Sequence, residues 1–320
     1  MKPVKLIIGV LALSLIPFLA LPKKPVSAQD EGEIHVITTI YPTYDWILSV
    51  LGENPGNISV EYLLDTGTDL HSFQPTVDDI MRIATCDLFV YVGGESDSWV
   101  KDALSSARSE DLHTLCLLDV LGDAALEEEV VEGMQEEEEE EEEEGTPDEH
   151  IWLSLRNAST CVTSLCESLS LLDEANAEVY AANTAAYQEK LADLDTAYQK
   201  AVETGSYHTV LFGDRFPFRY LTEDYGLSYY AAFTGCSAET EASFETIIFL
   251  AKKVDELHLP CILTIEGSDQ KVAQTIQKST QEGNQEILSL DSMQSASSAQ
   301  KEGYLAIMEE NLAALKEALK

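Results

Sequence analysis

Six side chains that can coordinate a cation fall where extended segments end or loops turn. His71 lies in Asp69-Leu70-His71-Ser72-Phe73-Gln74-Pro75, after an extended run at 58–64. His150 lies in Asp148-Glu149-His150-Ile151-Trp152. Asp214 follows the run 208–212 after one glycine, Glu266 ends the run 261–266, Asp291 directly follows 286–290, and Glu241 opens a helical stretch. Imidazole nitrogen combined with carboxylate oxygen suits Zn2+ or Mn2+, whereas Ca2+ and Mg2+ favour all-oxygen shells. Spacing alone leaves the point open. The wide gap between His71 and His150 matches no ligand-spacing signature, and a single loop histidine is more often a hydrogen-bonded surface residue. Catalytic signatures are missing: there is no H-E-x-x-H, no G-x-S-x-G and no nucleotide-binding glycine loop.

These residues need a scaffold, and hydrophobic patterning supplies one. Ile34–Ile40, Ile58–Leu64, Asp87–Val92 and Leu112–Val120 are short runs rich in β-branched and aromatic residues, separated by helical stretches such as Tyr44–Leu51. Thr76-Val77-Asp78-Asp79 has the form of a helix-opening capping box with Asp in place of Glu, and Pro75 blocks an earlier start. The same rhythm returns in His208–Phe212, Leu227–Phe233, Cys261–Glu266 and Glu286–Leu290, with helical stretches at 241–257, 270–280 and 300–319. Between the two sets, Asp173–Glu203 has neither Gly nor Pro, and Tyr180, Tyr187, Leu191, Leu194 and Tyr198 form an apolar stripe at helical spacing. The fold class is therefore α/β: two Rossmann-like βα lobes joined by one long rigid helix. Residues 31–167 form the first lobe, 168–204 the linker helix and 205–320 the second lobe. In such sheets a ligand binds outside the carboxyl ends of the strands.

The chain has 320 residues, 45% of them apolar, and a formal net charge of -39. Thirteen glutamates at 127–129, 132 and 136–144 supply part of that charge, yet the remainder is still strongly acidic. This composition disfavours nucleic acid and anionic lipid as partners, which demand Lys and Arg, and it attracts cations. The glutamate-rich stretch 127–145 reads as a mobile surface loop, either a solvated spacer or a weak cation collector. At the N-terminus, Lys2 and Lys5 precede an apolar run to Leu21 and small residues at Val26-Ser27-Ala28, so 1–28 reads as a signal peptide and the mature chain as exported. No cysteine falls in the first 85 residues, so a lipoprotein-type anchor is not expected; the N-terminal segment could still hold the chain at the membrane. The six cysteines allow fifteen full pairings, with buried unpaired thiols as the alternative.

Several of these segments together resemble the metal-specific solute-binding proteins of zinc and manganese ABC importers, the zinc-uptake type in particular. Ile37-Thr38-Thr39-Ile40-Tyr41-Pro42 is similar to that family's first strand and Tyr-Pro turn, and Asp69–Pro75 to its first histidine motif. Gly93-Gly94-Glu95 with Trp99, Asp148–Leu153, Tyr225-Gly226-Leu227 and Leu290-Asp291-Ser292 continue the likeness over nearly the whole mature chain. The resemblance implies a monomeric extracytoplasmic receptor that takes Zn2+, or alternatively Mn2+, and delivers it to the membrane permease of an ABC importer. It implies His71 and His150 as first-lobe ligands and Asp291 as a second-lobe ligand. One departure matters. Where zinc-uptake members carry a third His, ahead of an aromatic-x-Tyr segment, this chain has Arg215. Arginine cannot ligate a cation, so Asp214 is the expected replacement, with Glu266 and Glu241 behind it, while Arg215 itself could pair with a carboxylate. A surface adhesin or scaffold, and an exported zinc hydrolase, are the rival readings.

Overall fold

The computed structural model describes residues 32–53, 55–65, 67–105, 112–135, 145–237, 241–300 and 302–320. The proposed signal peptide lies outside these residues. Four parallel strands, β1 (Ile34–Thr38), β2 (Ile58–Tyr62), β3 (Leu88–Tyr91) and β4 (His113–Cys116), form the first sheet in the order β2-β1-β3-β4. Four more, β5 (Thr209–Phe216), β6 (Ser228–Thr234), β7 (Cys261–Ile265) and β8 (Glu286–Leu290), form the second in the order β6-β5-β7-β8. In each sheet the chain winds to one side of its first strand and then returns to the other. That reversal opens a crevice at the carboxyl ends of the strands. Val36, Phe89, Val90, Phe212, Ile262 and Leu263 are almost wholly buried, as strands covered on both faces require.

The linking helix runs Ala177–Thr204, 28 residues or about 42 Å at 1.5 Å per residue. It starts four residues later than the composition suggests. The Asp173 carboxylate accepts hydrogen bonds from the Asn176 amide and the Tyr180 hydroxyl, and holds 174–176 as a separate short turn after the helix Leu155–Leu172. The N-terminal part of the long helix serves the first lobe, with the Asn183 amide donating to the Val50 carbonyl. Its C-terminal part serves the second lobe, with the buried Tyr198 hydroxyl donating to the Met308 carbonyl at 2.6 Å. One helix packed against both lobes restrains their separation. The capping box expected at Thr76 is present: Thr76 Oγ1 accepts from the Asp79 N–H and Asp79 accepts from the Thr76 N–H.

Two expectations change. Leu112–Val120 is a short strand that turns at Cys116 into the helix Leu117–Leu121, so β4 is only four residues long. The described flanks of the glutamate-rich segment are anchored rather than mobile. Glu127 bridges Pro147, Arg219 donates to the Glu127 carbonyl and pairs with Glu129, and the Gln135 N–H donates to the Ala232 carbonyl. Residues 136–144 lie outside the described residues. Among the described residues no helix is long and apolar enough to cross a membrane.

Candidate metal centre

His71 and His150 are brought together. His71 sits in a one-turn helix, Leu70–Ser72, capped by the Asp69 side chain, whose Oδ1 accepts from the His71 N–H at 3.0 Å. His150 opens another one-turn helix, Ile151–Leu153, and is fully buried. Their Nε2 atoms stand 3.2 Å apart. Two nitrogens on a tetrahedral Zn2+, each about 2.0–2.1 Å from the ion, stand roughly 3.3 Å apart. The imidazole pair is thus already spaced for one cation.

The surrounding groups set the ring protonation. His150 Nδ1 lies 3.0 Å from Asp148 Oδ1, an acceptor, so Nδ1 carries a proton and Nε2 faces into the site. His71 Nδ1 lies 2.7 Å from Ser96 Oγ, and Glu149 approaches behind it at 3.8 Å. The Ser96 N–H in turn donates to Glu149 Oε1 at 2.7 Å. Burial, with the His150 charge beside it, lowers the His71 imidazole to about 3, keeping it neutral and able to ligate. Burial pulls His150 the same way, but the Asp148 carboxylate outweighs it and holds His150 above its ordinary value. Burial raises the Glu149 carboxyl to about 7. Gly94 makes room for Glu149: at φ +79, a Cβ there would fall 2.4 Å from Glu149 Oε1.

The two Nε2 atoms share a partner, Gln294. Its side-chain amide nitrogen lies 2.7 Å from both Nε2 atoms, one N–H toward each. Gln294 belongs to the turn after β8 and is buried. Its carbonyl oxygen and one Glu266 oxygen share the Ser292 hydroxyl, and the Ser292 N–H donates to the other Glu266 oxygen.

Among the described residues, none of the other sequence candidates joins this pair in a cluster of possible ligands. Glu266 has both oxygens engaged by Ser292, and burial, with Asp291 adding to it, raises its carboxyl to about 7. Asp291 Oδ1 accepts from the Met293 N–H, three residues before Gln294 on the same turn. Asp214 is held by Ser268 and by the Arg215 N–H. Glu241 is exposed at the start of its segment. Arg215 makes the ion pair that its chemistry allows. A bulge in β5, with Gly213 and Asp214 opposite one residue of β6, re-aims the strand, and Arg215 donates to Asp69 Oδ2 across the lobes at 2.7 Å. Arg215 holds the Asp69 carboxyl below its usual range even though burial alone would raise it.

One cluster among the described residues gathers three possible ligands: His71, His150 and Cys236, with their coordinating atoms all within 4.8 Å of one another. Cys236 was hidden in the sequence by cysteine arithmetic, although it too follows a strand, β6, after one glycine. Gly235 makes the approach possible, since a Cβ there would lie 2.6 Å from His150 Cε1 and 3.0 Å from the Phe216 carbonyl oxygen. All six cysteines are unpaired in the structure.

Comparison with known proteins places this geometry in a family. The family described as zinc-uptake complex component A, periplasmic (ZnuA), matches residues 36–318. The chain belongs to the zinc-uptake component A family. It is 30% identical over 294 residues to the high-affinity zinc uptake system protein ZnuA of Bacillus subtilis, covering 92% of this chain and 90% of that protein. It is 29% identical over 293 residues to the zinc-binding lipoprotein AdcA of Streptococcus pneumoniae, covering 90% of this chain but only 56% of AdcA, so it spans about half the length of that relative. The Zn(II)-bound ZnuA-like domain of Streptococcus pneumoniae AdcA superposes with a TM-score of 0.71 at 28% identity, over 90% of this chain and 99% of that one. Two parallel-sheet lobes with a long connecting helix are the fold of this family.

Proposed function

We propose that this protein is an extracytoplasmic receptor that captures one Zn2+ between its lobes and, as a monomer, hands it to the membrane permease of an ABC importer. The observation that carries the reading is the buried His71–His150 pair, whose Nε2 atoms are 3.2 Å apart. Membership of an uptake family supports transport over hydrolysis. Asp291 is the second-lobe oxygen ligand in this reading, reaching the cation once Gln294 leaves. The strongly acidic body draws cations toward the crevice, and Mn2+ is the alternative cargo. Calorimetric titration of the metal-stripped chain should give one tight zinc site per molecule, and size-exclusion with light scattering one chain per particle. Absence of saturable zinc binding would remove the proposal. An adhesin role would instead leave growth under metal chelation unchanged when the gene is deleted.

Gln294 sets the affinity in this mechanism. A cation must replace its two hydrogen bonds to the imidazoles, each worth about 1 kcal/mol net. Gln294→Ala removes that competition and leaves two buried ring nitrogens without their shared partner. Zinc should then bind about ten- to thirtyfold more tightly in competition with a chromogenic chelator. Unchanged or weaker binding would mean that Gln294 aids the bound state instead.

A further inference from the structure

We infer that Cys236 is a ligand of the captured cation, its sulfur taking the place of the histidine that the family pattern puts at Arg215. This rests on the reading that His71 and His150 hold a metal. Three observations support it. The coordinating atoms of His71, His150 and Cys236 already lie within 4.8 Å of one another. A tetrahedral zinc site needs nitrogen and sulfur roughly 3.5 Å apart, so a closing of about 1 Å suffices. The position that would carry the third imidazole is committed elsewhere, because the β5 bulge sends Arg215 to Asp69. The carboxylates that could substitute are engaged: Asp214 by Ser268, and both oxygens of Glu266 by Ser292. Gly235, which a side chain would drive into the His150 ring, lets the backbone pass close enough for the next residue to reach the site.

Sulfur changes what the site accepts. Thiolate is a soft donor that favours Zn2+ and Co2+ over Mn2+, which prefers carboxylate, carbonyl and water oxygens. Binding forms a metal–sulfur bond and releases the thiol proton to water. The receptor is therefore a zinc-selective variant of its family in which one nitrogen ligand has become sulfur, and His71, His150 and Cys236 supply three of the donors.

The test is a Co2+ titration of the metal-stripped full chain, followed in the visible for d–d bands and in the near ultraviolet for thiolate-to-cobalt charge transfer. The wild type should show both, and Cys236→Ser should keep the d–d bands and lose the charge-transfer band. Zinc affinity of Cys236→Ser should fall about 10- to 100-fold, with manganese affinity nearly unchanged. Cobalt bound by the wild type without a sulfur band would overturn the assignment of Cys236 alone. Failure to bind cobalt or zinc at all would overturn the capture reading and this assignment with it.

Discussion

His150→Ala should abolish tight zinc binding, with a loss of more than about 100-fold, beyond what removal of an outer partner of a ligand costs. His150 is fully buried, its Nδ1 proton is held by Asp148, and its Nε2 faces His71. Of the neighbouring carboxylates, Asp148 orients His150 and Glu149 Oε1 accepts from the Ser96 N–H. His71→Ala should behave alike, and because His71 is less enclosed it separates a binding defect from a folding defect. Asp148→Asn should be milder, about 10- to 100-fold, because it loosens the ring tautomer without removing a ligand. Competition titration with a zinc chelator measures all three. Wild-type affinity in both histidine variants would mean that the metal binds elsewhere.

The largest effect on stability is expected at Trp152. This ring is wholly buried, packs edge-on against His150 with centroids 5.5 Å apart, and ties the lobes together. Its indole N–H donates to the Ser292 carbonyl at 2.8 Å, and its own carbonyl accepts from the Tyr304 hydroxyl at 2.7 Å. Trp152→Ala should cost about 3–5 kcal/mol in urea unfolding, from the cavity and the lost bond to the second lobe. It should also weaken zinc binding, since the loop carrying His150 and the turn carrying Gln294 lose their common support. Trp152→Phe, which keeps a ring, should lose less on both counts. An alanine variant within about 1 kcal/mol of wild type would show that the lobes are held by the long helix and not at the crevice.

The architecture was legible because parallel strands buried on both faces leave uninterrupted apolar runs, and eight such runs in two sets imply two βα lobes. Element ends were less so. Asp173 interrupts a helical pattern through its own hydrogen bonds to Asn176 and Tyr180, and the β5 bulge depends on how Gly213-Asp214 sits against β6, neither of which periodicity encodes. His71 and His150 stood out because the motifs that hold them, Asp69–Pro75 and Asp148–Leu153, resemble those of the zinc-uptake family. Gln294 did not, because an amide becomes informative only once two imidazoles are found on either side of it. Cys236 was counted with five other cysteines and so read as a disulfide partner or a core filler. Its position after β6 became meaningful only when the fold brought it within 4.8 Å of the His71 and His150 ring nitrogens. Arg215 carried a true negative signal, since it cannot be a ligand, and the structure gives it a positive role as the cation that holds Asp69 beside His71.

X-ray absorption at the zinc K-edge, on wild-type protein loaded with one equivalent of Zn2+, tests the central claim most directly. A four-coordinate ion with two imidazole scattering shells at about 2.0–2.1 Å is the expected result. An all-oxygen shell without imidazole scattering would contradict the claim that His71 and His150 capture the metal.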